Sequence, residues 1–594
     1  MLLTSFAACT DNNEADTEET ETTDESKTET ETETETETEE VPDDANIVVD
    51  GKSKYKIVYP YDYENLTYLA EGHAEDLQKK IRNLTGARLD VKDDFIPKNE
   101  TQDATALEIL VGETAYPETE QLLSTIGYGD YAIGIVGKKV IVTAYTTTAL
   151  AVAVERFTEI LTEAAKDGSS LTLPGSLYEV GTVISMLNQL PAYEGGVLNT
   201  ITDAGDGAYV MAVNKADLNT HKAYLDALEA AGFSLYEERG ILNAENSYAV
   251  YMNDTYAVTT IHTAYNNASR IIVEPIASNG YFTYENASTN KGGIAPLLIQ
   301  LGLNPAKTEP QNGMCYIVRL SNGKFLVFDG GHDDDAYKAG QNCQRLVNTL
   351  KAYSYNQNNV RIAAWLITHP HTDHIGAFQY FCDNYANDKT ITVENVLINF
   401  PSDVQAQQDT SSDGLEVKVN NYRKKIQKLV DAQGTKVHKC HPGQKYGFAD
   451  ATLEILYSHD MRAEVPLKES NNLSIVSRLT IEGQVILMNG DTHTRSNEIM
   501  IKMYGSDLKC DFYQTPHHGF GPTDPTYPAL ANPKYVLVPI GTDLAQSILE
   551  SKNGWITCLV NKNIPMYTSK NRMIVFGLPF DGTNLLEKPN GTIQ

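Results

Sequence analysis

No stretch of this 594-residue chain reaches the roughly 20 consecutive apolar residues of a membrane-spanning helix, so no such helix is expected. Basic residues are scarce, with 47 Lys and Arg against 79 Asp and Glu and a net charge of −32. There is no basic nucleic-acid footprint, and diffuse negative charge repels DNA or RNA, which counts against a processive nuclease. Cysteine is sparse too, and no Cys-x-x-Cys pair occurs. Cys9 stands alone in the first 314 residues, and Cys315, Cys343, Cys382, Cys440, Cys510 and Cys558 all lie in the second half. Their even number allows three disulfides, but the irregular spacing fits scattered core thiols better.

The negative charge that is present is unevenly spread. Residues 11–44 hold 17 Asp and Glu and one Lys, so this segment alone carries half of the total. It includes an unbroken Glu-Thr alternation from Glu29 to Glu39. Such a tract cannot bury a core and repels itself, so residues 10–45 are expected to form a disordered, extended tether. Ahead of it, residues 1–9 run Leu2-Leu3-Thr4-Ser5-Phe6-Ala7-Ala8-Cys9. A short apolar run ending in small residues and a cysteine resembles the cleavage box of bacterial lipoproteins. That resemblance implies lipidation at Cys9, with the body anchored outside the bacterial cell membrane through lipid only.

Two α/β accessory domains are expected next. In residues 46–185, strand patterns at Tyr55–Tyr59, Glu108–Gly112, Tyr131–Val136 and Lys139–Ala144 alternate with helical ones at His73–Leu84 and Thr147–Ala165. The order of elements and Val111-Gly112-Glu113-Thr114 resemble the accessory domain that precedes β-hexosaminidase-type glycoside hydrolase barrels. In residues 190–290, a strand at Tyr209–Val213 precedes a helix at Ala216–Ala231 and strands at Tyr248–Met252, Ala257–Ala264 and Arg270–Pro275. The Tyr-rich strand faces could stack on sugars, although packed core explains them as well.

The densest chemistry lies in residues 291–594. The apolar run Ile362–Ile367 reads as a buried strand and stops at Thr368. His369, His371, Asp373 and His374 follow within six residues, and Gly376 with Ile375, Ala377 and Phe378 suggests a helix start. Three imidazoles and a carboxylate thus sit on a tight loop at the carboxyl end of a strand, where α/β folds keep their sites. His and Asp together suit Zn²⁺ or a similar divalent ion, and two alternating pairs can face two metals.

This run resembles the signature loop of the metallo-β-lactamase superfamily. Three further motifs occur in the order of that family. They are the strand Lys324–Phe328 ending in Asp329-Gly330-Gly331, the strand Val485–Asn489 ending in Gly490-Asp491, and Thr515-Pro516-His517-His518-Gly519. The His-His-Gly form and Asn471-Asn472-Leu473-Ser474 are most similar to the extracytoplasmic domain of competence-type DNA-uptake channels and to surface phosphorylcholine esterases. The resemblance implies that His369 and His371 hold one metal, and Asp373, His374 and His518 the other, with Asp491 bridging. It implies that Asp329 hydrogen-bonds a metal-bound His from behind. It also gives Asp373 and His517 catalytic roles, His517 facing a phosphoryl oxygen. One family ligand is unassigned: His459, at the end of the strand Ala451–Ser458, is the candidate, with Asn472 in the other slot. Where the DNA-uptake domains keep a His-containing segment, this chain has Gly541-Thr542-Asp543, which counts against a nuclease.

The expected fold is therefore α/β: an αββα sandwich preceded by two smaller α/β domains and a tether. The expected function is extracytoplasmic hydrolysis of phosphoester or phosphodiester bonds through a dinuclear metal-bound hydroxide. Zn²⁺ is favoured, with Mn²⁺ or Fe as alternatives. The partner would be a small-molecule or surface-polymer substrate, with nucleic acid disfavoured by charge. Hydrolysis of another ester, amide or lactone is the alternative, as is a surface glycan-binding protein with a non-catalytic metal site.

Overall fold

The strand Val360–Leu366 is apolar at six of its seven positions and buried at all six, so it can sit only between two covering layers. It lies near the middle of a nine-stranded sheet, parallel to Phe325–Asp329 on one side and to Asn395–Ile398 on the other. A second, seven-stranded sheet runs from Lys445–Phe448 through Gln484–Met488 to Met566–Thr568. Leu326, Phe328, Ala364 and Leu366 of the first sheet meet Leu479, Ile486, Met488 and Phe512 of the second in one core. The first sheet's outer face is covered by the helices Gln341–Tyr353, Thr372–Asn384 and Leu415–Gln433. On the second sheet's outer face lie Thr494–Tyr504, Thr526–Ala531 and Gly554–Val560. The αββα sandwich expected for the C-terminal half is present.

The computed structural model describes residues 43–587 apart from 62–66, 99, 166–167, 277–290, 304–312, 334–339, 408, 410–413, 463–466, 468, 522, 551–553 and 569–572. Cys9 and the tether to residue 42 lie outside the described residues. The last tether positions are structured: Asp43 pairs with Lys138 at 2.9 Å, and a strand begins at Ala45.

The first accessory sheet has the strand order Asp90–Asp93, Lys56–Tyr59, Glu108–Val111, Lys139–Ala144, Asp130–Val136, Tyr178–Thr182. Its first four strands are parallel. Helices Thr67–Thr85 and Thr147–Ala164 pack on one face through Leu77, Ile81, Phe157 and Leu161. The two outermost strands, Asp90–Asp93 and Tyr178–Thr182, were not expected. Both are edge strands with largely solvated side chains, so neither carries an apolar signature.

The second accessory unit is a six-stranded antiparallel sheet, which adds Val197–Gly205 and Ser234–Ile241 to the expected strands. Its period-2 alternation buries both faces. Met211, Val258, Ile271 and Val273 face Tyr224, Leu225 and Leu228 of the helix Leu218–Ala230. Val210, Tyr248, Val250 and Ile272 instead share a core with Leu456, Tyr504 and Trp555 of the sandwich. Tyr248 and Tyr251 are therefore buried core and cannot stack on sugars. Polar groups hold the same seam: Arg423 pairs with Asp206 at 2.8 Å, and Lys439 Nζ donates to the carbonyl of Ala204 at 2.8 Å. All six cysteines among the described residues are free thiols, five of them buried.

Candidate metal centre

The metal loop is shaped by its flanking elements. Thr368 ends the strand run, and the helix Thr372–Asn384 begins one residue after His371, whose carbonyl accepts from the backbone N–H of His374 and Ile375. Asp373 thus sits in the first helical turn, where the positive end of the helix dipole favours a carboxylate. The helix passes close above the Asp-Gly-Gly turn: a Cβ at position 376 would lie 2.5 Å from the backbone nitrogen of Asp333, so only glycine fits.

Two groups of ligand-type atoms result, each with its atoms within 4.8 Å of one another. One is His369, His371 and Asp491; the other is Asp373, His374, Asp491 and His518. Asp491 belongs to both. Its Oδ2 lies 3.1 Å from His374 Nε2, 3.3 Å from His518 Nε2 and 3.9 Å from His369 Nε2. Asp373 Oδ2 is 2.9 Å from His518 Nε2. Six residues from three segments far apart in sequence, 369–374, 491 and 518, meet here.

Asp329 supports the centre from behind. Its Oδ2 lies 2.7 Å from His374 Nδ1, and its two oxygens also accept from the backbone and hydroxyl of Thr368 at 2.7 and 2.8 Å. With Nδ1 engaged, His374 turns Nε2 toward the other ligands, the arrangement that fixes tautomer and ring orientation in metal-binding histidines.

The electrostatics suit a cation. Burial opposes charge on His374, but the carboxylates of Asp491, Asp373 and Asp329 outweigh it and raise its pKa. The same balance, led by burial and reversed by Asp491 and Asp373, brings His518 up to about 9. Burial raises the Asp491 acid, yet His374 and His518 pull it well below the carboxylate range. His369 Nε2 and Asp491 Oδ1 are buried with no hydrogen-bond partner among the described residues. Burying such atoms unpaired costs on the order of 1–3 kcal/mol each, a cost that a bound metal would offset. The donor set therefore fits two divalent ions.

The closing loop is backbone-strained. His517 and His518 both have left-handed φ, 46° and 54°, which costs a non-glycine residue on the order of 1–3 kcal/mol. His517 N–H donates to the carbonyl of Gly490 at 3.1 Å, tying this loop to the turn that carries Asp491. The conformation sends the two rings apart. His518 joins the second ligand group, while half-buried His517 belongs to neither.

Two findings depart from the sequence reading. His459 is not drawn into either group. It opens a 3-10 turn beside Asp460, and burial depresses its pKa to about 4. His493, which the sequence reading passed over, instead contacts His517, and Glu469 contacts His493. His493 Nε2 is 3.0 Å from His517 Nδ1, and Glu469 Oε1 is 3.0 Å from His493 Nδ1. The signal available for His493 was its place two residues after Asp491; nothing local marked Glu469.

Residues 308–519 match the model of the metallo-beta-lactamase superfamily, a span that contains every expected ligand. Fold, motif order and ligand groups agree: this part of the chain is a metal-dependent hydrolase domain of the metallo-β-lactamase fold. Among solved structures, the chain is similar to CmlA, a diiron β-hydroxylase from Streptomyces venezuelae, at 12% identity and a TM-score of 0.30. That match covers 48% of this chain and 54% of CmlA, so the chain spans about half the length of that protein. A metallo-β-lactamase from Cronobacter sakazakii matches at 13% identity and a TM-score of 0.22, over 43% of this chain and 93% of its own. A β-lactamase from Chitinophaga pinensis matches at 10% identity and a TM-score of 0.23, over 46% and 97%. No curated protein matches the chain.

Proposed function

We infer that the protein hydrolyses phosphoester or phosphodiester bonds outside the cell membrane. The observation that carries this reading is His517: a half-buried imidazole next to a ligand, outside both ligand groups and oriented by His493. A phosphoryl group presents several oxygens at once, so a polar group beside the ligand set has a natural target. His369, His371, Asp373, His374, Asp491 and His518 would hold two divalent ions, Zn²⁺ ahead of Mn²⁺ or Fe. When bound, such a pair supplies a nucleophile at neutral pH and positive charge for the transition state. The chain's own part is to fix ligand geometry through Asp329, to enclose the centre, and to hold His517 against the substrate. The acidic tether and Cys9 support a lipid-anchored, cell-surface location, and the net charge supports a small molecule or surface polymer over nucleic acid as substrate.

The test is metal analysis of the purified chain, then turnover of bis-p-nitrophenyl phosphate beside p-nitrophenyl acetate and a lactone. Two metal equivalents and preferential diester cleavage are expected. Cleavage of only the carboxylic ester or lactone would replace this reading with the alternative hydrolase. Metal without any turnover would leave a glycan-binding protein with a structural ion. The unpartnered His369 Nε2 and Asp491 Oδ1 argue against a metal-free, vestigial centre.

A further inference from the structure

The parallel part of the first accessory sheet has its own topological switch point. From the strand Lys56–Tyr59 the chain crosses to Asp90–Asp93 on one side, then returns to Glu108–Val111 on the other. The next parallel strand, Lys139–Ala144, follows on that side. Loops leaving a switch point diverge and open a crevice at the carboxyl ends of the strands, where α/β sheets bind ligands. A cleft of about 290 Å³ lies there. All four parallel strands deliver to it the residues that follow their carboxyl ends: Asp94, Tyr61, Glu113 and Tyr145. Thr200, from the second accessory sheet, closes the opposite wall.

The chemistry of the lining is selective. Among the described residues no Lys, Arg or His lines the cleft, so they offer an anionic ligand no counter-charge. Asp94 is spent on structure: its two oxygens accept the backbone N–H of Tyr61 at 2.6 Å and of Ala115 at 2.7 Å. Glu113 lines the cleft with an exposed side chain that has no hydrogen-bond or ion-pair partner among the described residues. The protein around the cleft shifts its pKa upward, but the side chain is open to water, and in either protonation state the carboxyl can hydrogen-bond a hydroxyl. Tyr145 is fixed by a hydrogen bond from its hydroxyl to the carbonyl of Leu123 at 3.0 Å.

Tyr61 lines the cleft, and its ring meets that of Phe95. Tyr61 is 43% and Phe95 59% exposed, and their rings tilt against each other at 4.9 Å. A second cleft of about 520 Å³ shares Asp94 and Ala115 with the first and continues past Tyr116 and Gln102. Exposed rings leading into a crevice of hydroxyls, an amide and an acid suit a ligand with one apolar face and many hydroxyls. A volume near the lower end for small-ligand sites, roughly 300–1,000 Å³, fits one ring, and the second cleft gives its neighbours a path.

We propose that this cleft between the two accessory sheets binds an uncharged sugar residue of a glycan, with Tyr61 stacking on the ring and Glu113 hydrogen-bonding its hydroxyls. The accessory half is then a docking module that holds the hydrolase at a saccharide surface, and the inference is independent of which bond the metal centre cleaves.

The test is calorimetric titration of the full chain with glucose, galactose, mannose, N-acetylglucosamine and their disaccharides. Putrescine and spermidine serve as cationic probes. Binding of at least one saccharide is expected, tighter for its disaccharide. Tyr61→Ala and Glu113→Ala should each weaken it roughly 10-fold or more, the size of one lost stacking or hydrogen-bonding group. Glu113→Gln, which keeps an acceptor oxygen and adds a donor, should bind within a few-fold of wild type. Because Tyr61 is exposed, Tyr61→Ala should unfold at the wild-type temperature and remain informative if the Glu113 variants are unstable. Three results would overturn the proposal: no saccharide bound, saccharide binding unmoved by Tyr61→Ala, or amine binding that Glu113→Gln abolishes.

Discussion

His493 Nε2 lies 3.0 Å from His517 Nδ1, and Glu469 Oε1 lies 3.0 Å from His493 Nδ1. The Glu469 contact is an ion-pair distance that falls short of hydrogen-bond geometry, while His493 Nε2 and His517 Nδ1 share a hydrogen bond. His517 is thereby held with its Nε2 free for chemistry. His493→Ala should leave the metal content unchanged, since His493 belongs to neither ligand group, while kcat falls roughly 10–100-fold. His493→Gln, which keeps an acceptor near His517, should recover part of the loss. Metal lost in parallel with activity would show that His493 serves the ligands and not His517.

The adjacent histidines should separate cleanly. His517→Ala is expected to retain metal and lose on the order of 10²–10³ in turnover, the usual cost of removing one transition-state donor. His518→Ala should lose metal from the second group first. Metal analysis and kinetics on the same preparations decide this, and the reverse pattern would exchange the two assignments.

Asp491 is the one residue common to both ligand groups. Asp491→Ala should therefore lower metal content and activity together. A variant that still held two metals per chain and turned over normally would end the dinuclear reading.

His441 makes stability pH-dependent. It is fully buried, with Nδ1 2.8 Å from Asp460 Oδ2, and Nε2 3.3 Å from Glu274 Oε2 in an ion-pair contact that falls short of hydrogen-bond geometry. Burial lowers its pKa, but Glu274 and Asp460 reverse this and bring it to about 9. A folded pKa above the unfolded value of about 6.5 gives stabilisation that is complete below about pH 6.5. It is lost as pH rises through about 9. The linked free energy is on the order of a few kcal/mol. Thermal unfolding between pH 6 and 10 should show a declining Tm that flattens in His441→Gln; an unchanged slope in the variant would assign the dependence elsewhere.

The anchor is tested separately. If Cys9 is acylated, the native protein partitions with membranes and Cys9→Ser releases it into the soluble fraction. Equal partitioning of both forms would remove the lipoprotein reading and leave the acidic tract as a tail.

What the sequence determined by itself was every feature written within one strand and the turn after it. Val360–Leu366 followed by His369, His371, Asp373 and His374 is such a unit, as is Gln484–Met488 followed by Asp491. A buried strand must be continuously apolar, and a ligand must stand where that run stops, so the local pattern carries both fold and chemistry. Asp329 was legible for the same reason. The tertiary structure decided whatever depends on residues far apart in sequence. It left His459 out of both ligand groups, at the end of a strand whose Leu456 and Tyr457 pack in the core shared with the accessory sheet. It placed Glu469 against His493, 24 residues on, and His493 against His517, another 24 on. It also merged the core of the second accessory sheet with that of the sandwich and brought Thr200 over Glu113. Apolar patterning says that a face is buried, but the partner that covers it is chosen by packing between surfaces that no single window of sequence contains.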